Sequence, residues 1–129
     1  NAPIFGTDTS LQITEWNNKI AELTQCNKEE ALGTNLIDTY VPDEMKDHVR
    51  TVFRNAIDAE TGSESQFPLM SRGEHGVIDL ICTVKCRKDM ENKVVGAIAF
   101  AQDMTALQTV MQQEVLLHKA QLANDAKSE

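Results

Sequence analysis

The sequence predicts an α+β domain built on an antiparallel sheet, with helices covering one face. Three observations predict it. Strand-like and helix-like patterns follow the order β-β-α-α-α-β-β-β-α, so strands group with strands and helices with helices. Residues 77–87 alternate, which places Ile78, Leu80, Cys82, Val84 and Cys86 on one face of a strand. The last strand-like stretches are joined by short turns, Gly73-Glu74-His75-Gly76 and the polar run 88–92, as antiparallel neighbours require.

Each element has its own signal. Residues 4–8 are a short apolar run, and Ser10-Leu11 reads as a turn. Residues 12–16 then alternate polar and apolar, which completes a hairpin. Residues 17–23 carry Ile20, Ala21 and Leu23 at helical spacing, with Asn17 or Asn18 as the cap. A second short helix starts at Asn27, with Glu30 three residues on as in a capping box, and Gly33 ends it. Residues 36–40 are short and fit helix or strand. Pro42 takes a first-turn position, and Asp43 and Glu44 suit the positive end of a helix. Met45, Val49, Val52, Phe53, Ala56 and Ile57 then form a helical stripe, and Gly62 breaks the pattern. Strands are expected over 65–72, 77–87 and 93–102. In the last, Ile98 and Phe100 point one way and Ala97, Ala99 and Ala101 the other. After Asp103 the pattern turns helical, with Met111, Val115, His118 and Leu122 at the spacing of a coiled-coil seam. The expected organisation is a domain over 1–103 and a linker or coiled-coil helix over 104–129.

Bulk properties exclude several classes. With 129 residues, the chain is the size of one domain with one core. Its 41% hydrophobic and 25% charged residues are those of a soluble globular protein. A net charge of −8 speaks against nucleic acid and against an anionic membrane surface. No apolar run approaches the roughly 20 residues of a membrane span, and the opening NAPIFGTD lacks the pattern of a signal peptide. Cys26, Cys82 and Cys86 form no disulfide framework. Cys82 and Cys86 would lie ~13 Å apart along a strand, so small buried thiols in a reducing, cytoplasmic compartment are expected. The absence of an initial Met and the polar ending NDAKSE suggest a module of a longer protein. Nothing in the pattern suggests an enzyme: there is no Ser–His–Asp set, phosphate loop or HExxH.

Several phrases, in order, resemble a PAS domain. NAPIFGTD followed by ITEWNNKIAELT resembles the paired opening strands and first helix of PAS domains in phytochromes and sensor kinases. KEEALGTNL resembles the E-E-x-x-G-x-x-L passage, and VVGAIAFAQDMT resembles the last strand with its D-x-T signature. The resemblance covers about residues 2–105. It implies a five-stranded antiparallel sheet with helices across one face, and a sensory or dimerising role relayed through a C-terminal helix to an effector domain in the same full-length chain. A homodimer is the expected partner, through that helix or the outer face of the sheet.

The resemblance also frames the candidate sites. The flavin-binding LOV branch needs a reactive Cys where this chain has Leu36. Its last-strand Gln would fall at Ala101, with Gln102 one residue off and on the other face. LOV photochemistry is therefore not expected. Haem-binding PAS domains of bacterial oxygen sensors use a His on the long helix and an Arg six residues later. His48 stands fifteen residues after Gly33, and Arg54 six after His48. By that resemblance His48 would be the axial ligand of haem b iron, and Arg54 would pair with a propionate. Thr51 and Gln66-Phe67-Pro68 depart from the oxygen-sensing pattern. At ~100° per residue His48 falls at the border of the apolar stripe, where a histidine is usually solvated or half-buried. A third reading is a cavity for a small apolar molecule lined by Leu36, Val52, Ala97, Ala99 and Ala101; close packing of sheet on helix would use the same residues. Three readings therefore stand: a regulatory module with no obligatory cofactor, a haem-based sensor, and an apolar ligand-binding module. His75 reads as a solvated turn residue, and Trp16 as packing on the sheet.

Overall fold

Asparagine side chains start three of the helices. Asn17, Asn27 and Asn35 are extended residues whose Oδ1 atoms accept the N–H of Ile20 at 3.0 Å, Glu30 at 2.8 Å and Asp38 at 3.0 Å. Each bond satisfies a first-turn donor that the helix itself cannot. Asn17 does more, because its Oδ1 also accepts the Ile4 N–H at 3.1 Å and its Nδ2 donates to the Ala2 carbonyl at 2.9 Å. One side chain thus ties the first strand to the first helix.

The computed structural model describes residues 2–73 and 76–104. The elements are β1 (Ile4–Asp8), β2 (Ile13–Trp16), α1 (Asn18–Thr24), α2 (Lys28–Ala31), α3 (Leu36–Tyr40), a 3-10 turn at Asp43–Met45, α4 (Lys46–Asp58), β3 (Ser63–Met70), β4 (Val77–Lys88) and β5 (Val94–Asp103). His75 and the seam positions Met111, Val115, His118 and Leu122 lie outside the described residues. The five strands form one sheet in the order β2-β1-β5-β4-β3, and every neighbouring pair is antiparallel. β5 is the middle strand, and α4 packs against β3, β4 and β5. This is the predicted α+β fold.

Several elements differ from the pattern-based expectation by a residue or two, and in three places the packing shows why. Residues 36–40 are a helix, because Asn35 caps them and Leu36, Ile37 and Tyr40 share a buried side. β3 runs from Ser63 to Met70 instead of 65–72. Ser63 and Glu64 pair with Val84 and Thr83, whereas the Ser71 N–H bonds Gly76 O at 2.8 Å and the Arg72 N–H turns away to Thr24 O at 2.9 Å. β5 extends to Asp103, which pairs with Leu80. Pro68 sits inside β3 without cost, since an edge strand leaves some N–H positions unpaired.

The core lies between the sheet and the helices. Phe5, Phe53 and Phe67 are fully buried, with Leu36, Leu69, Leu80, Val49 and Val84 around them. Each buried phenyl ring contributes roughly 2–3 kcal/mol of transfer free energy. Gly96 lets β1 and β5 come together: a Cβ there would lie 1.8 Å from the Thr7 carbonyl oxygen.

Candidate functional site

The inner face of β5 carries Ala97, Ala99 and Ala101, all buried. Alternation dictates this, and Ile98 and Phe100 face outward. The fold brings these alanines, Leu36 and Val52 into one interior, all of them buried. Aromatic rings occupy the space that the small side chains leave. Phe5, paired in register with Ala99, has its ring centroid 6.3 Å from Phe53, and Phe53 is 6.4 Å from Phe67. On the other side Phe5 meets Trp16 at 6.1 Å, and Trp16 meets Tyr40 at 4.9 Å. Five rings therefore run through the core from α3 to β3. Sequence periodicity could find each ring as a core residue but not their contact, which needs five separate elements.

Most of the polar groups in this interior are satisfied. The Trp16 indole donates to Cys26 O at 2.9 Å, and Thr24 Oγ1 donates to Ile20 O at 2.8 Å. Thr7 Oγ1 is buried without a hydrogen-bond partner. Burial, with further contributions from Cys26 and Glu30, pushes the Tyr40 hydroxyl up to about 12. Burial alone pushes the Cys82 thiol up to about 12. Both stay protonated at neutral pH, as the apolar surroundings demand.

His48 and Arg54 take different positions. The His48 side chain is exposed on α4, and its Nε2 lies 2.8 Å from Ser65 Oγ on edge strand β3. Arg54 Nη2 donates to Thr9 O in the β1–β2 turn, and Nη1 lies 3.8 Å from Asp58. Six residues on a helix separate the two by ~120°. The imidazole and guanidinium thus clasp α4 to opposite sides of the sheet. The space between α4 and the sheet holds Phe5, Phe53 and Phe67. In this arrangement His48 and Arg54 do not form a cradle for a porphyrin. Among the described residues there is no group of His, Cys, Asp and Glu suited to a metal ion.

The outer face of the sheet offers a different surface. Ile4, Phe100, Thr83 and Glu64 stand in one cross-strand row, with Ile81 and Ile98 beside it. Phe100, on the middle strand, is 42% exposed on this open face. A groove of about 620 Å³ follows this face, lined by Ile81, Thr83, Phe100 and Gln102 together with the charged Lys19, Glu64 and Asp103. The alternation in β5 already marked Ile98 and Phe100 as outward. The contribution of Ile4 and Ile81 was invisible without the strand order.

A five-stranded antiparallel sheet in this order, with short helices and one long helix on its inner face, is the fold of a sensory PAS module. The chain belongs to the PAS family, whose PAS fold model matches residues 1–104. Phytochrome 1 of Adiantum capillus-veneris is 34% identical over 113 residues, covering 85% of this chain and 10% of that protein. The chain thus spans about a tenth of the length of the curated relatives it matches. Among solved structures, the PAS domain of a Colwellia psychrerythraea protein superimposes with a TM-score of 0.69 at 18% identity, over 81% of this chain and 87% of that one. The PAS domain of the Cronobacter turicensis quorum-sensing receptor RpfR, in complex with C12:0, also gives 0.69, at 16% identity over 81% and 94%. At these identities the likeness is one of fold. No described helix is long and apolar enough to cross a membrane.

Proposed function

We propose that this chain is a regulatory input module that dimerises and passes its state, through the residues after Asp103, to an effector domain in the same full-length protein. One observation carries the reading: β5 is at once the middle strand, the floor of the core and the lead into residues 104–129. Its alanine face touches the interior, and its other face exposes Phe100. A change in the core is therefore one strand away from both the outer surface and the outgoing chain. Catalysis has no part in this reading.

The ring-filled interior and the exposed, Ser65-bound His48 favour a module without haem. The same rings favour side-chain packing over a resident apolar ligand on Leu36, Val52, Ala97, Ala99 and Ala101. Sedimentation of the whole chain beside a variant lacking 106–129 tests the proposal. The whole chain is expected to dimerise and the truncated one to dimerise more weakly. A whole chain that stays monomeric at high concentration overturns the reading.

A further inference from the structure

We infer that the cavity between the α1–α2 loop and the end of β3 is a peroxide-reactive thiol site, in which Cys26 is oxidised, Tyr40 and Arg72 receive the added oxygen, and Trp16 registers the change. The chemistry belongs to this cavity and stands whether or not the chain dimerises.

The cavity measures about 240 Å³, with Cys26, Tyr40, Met70 and Arg72 in its lining. Segments far apart in the chain build it. Ser71 Oγ donates to Leu23 O at 2.9 Å, and the Arg72 N–H donates to Thr24 O at 2.9 Å. These bonds fasten the end of β3 to the loop that carries Cys26. Arg72 Nη1 also meets Glu30 Oε2 on α2 at 2.5 Å. Cys26 and Tyr40 are each only 5% exposed, yet both line the cavity. The cavity is therefore the route by which a molecule of a few atoms meets the sulfur.

A missing acceptor points to what the cavity takes. The Tyr40 hydroxyl, on a buried ring, has the Cys26 sulfur as its hydrogen-bonding neighbour. A thiol sulfur is a weak acceptor, and a buried hydroxyl without a good one is costly. The Cys26 thiol itself points to Thr24 O at 3.6 Å. Glu30 foremost, and then the Cys26 sulfur, makes Arg72 hold its proton more firmly, which puts that positive charge within electrostatic reach of the thiol. An oxygen atom placed on the sulfur gives Tyr40 the acceptor it lacks and gives Arg72 a second one.

Hydrogen peroxide supplies that atom. The thiolate is the nucleophile. Its sulfur bonds one peroxide oxygen as the O–O bond breaks, and the leaving hydroxide takes up the thiol proton as water. Sulfur loses two electrons, peroxide gains them, and the product is the sulfenic acid of Cys26. The Trp16 indole donates to Cys26 O at 2.9 Å, and its ring centroid lies 4.9 Å from Tyr40. Oxidation therefore disturbs the surroundings of the sole tryptophan, which is also a member of the ring row in the core.

The test adds hydrogen peroxide to the whole chain and follows two signals. One is labelling by dimedone, mapped by mass spectrometry, which marks sulfenic acid and passes over the thioether of Met70. The other is Trp16 fluorescence. Cys26 is expected to take the label, with a fluorescence change that Cys26→Ser abolishes; Cys26→Ala serves if circular dichroism shows that serine disturbs the fold. Tyr40→Phe and Arg72→Gln are each expected to slow labelling roughly tenfold, the loss of one hydrogen bond to a charged group. Label on Cys86 with Cys26 untouched overturns the site. Labelling at the wild-type rate in both Tyr40→Phe and Arg72→Gln overturns their roles and makes Cys26 an ordinary thiol. A fluorescence change that survives without Cys26 overturns the link to Trp16.

Discussion

Gly96 is the residue with the least freedom to change. A Cβ there would press into the Thr7 backbone at 1.8 Å from its oxygen and 2.8 Å from its carbonyl carbon, and backbone cannot rotate away. Gly96→Ala is expected to destabilise the domain by about 3 kcal/mol, read as a lower urea midpoint. Tyr40 and Cys82 make a second argument at this scale. Their acid groups ordinarily titrate near 10.0 and 9.0, and in the fold both rise to about 12. The folded protein holds these protons longer than the unfolded chain does. Their contribution to stability is complete below about pH 9 and is lost as the pH rises to about 12. Denaturation followed between those values is expected to show a falling midpoint, with a shallower fall in Tyr40→Phe.

The asparagine caps belong to the scale of the element. Asn27 satisfies one N–H of a one-turn helix at an exposed corner. Asn17 caps α1 and also clamps the start of β1 through Ile4 and Ala2. Asn17→Ala is therefore expected to cost about 2 kcal/mol and Asn27→Ala about 1 kcal/mol or less, compared by thermal melting. These caps were legible in the sequence, because Asn followed by a helical pattern is a local signal. α3 was not, since five residues with Leu36, Ile37 and Tyr40 fit either period. The two short ends of β3 were missed for another reason. Arg72 looked like a continuation of the strand, but its N–H is drawn to Thr24, which is distant in sequence.

At the scale of the molecule, the interior and the two clasps of α4 decide what His48 can do. Bringing the imidazole to an iron would require breaking its contact with Ser65 and displacing rings that pack within 6.4 Å of each other. Adding haem to the purified chain is expected to give no Soret band that His48→Ala alters. A sharp band lost in that variant would overturn this expectation and restore the haem reading.

The sequence by itself determined the α+β class, the order of elements, the inward alanines of β5 and the outward Phe100, because alternation and capping are local properties of the chain. The tertiary structure alone decided that β5 lies between β1 and β4, that Ile4 stands beside Phe100 and Thr83 in one row, that five rings meet in the core, and that His48 faces Ser65 instead of the interior. Periodicity states which side of its own strand or helix a residue occupies. It does not state which strand lies next to it, since that choice is made by contacts between segments far apart in the chain.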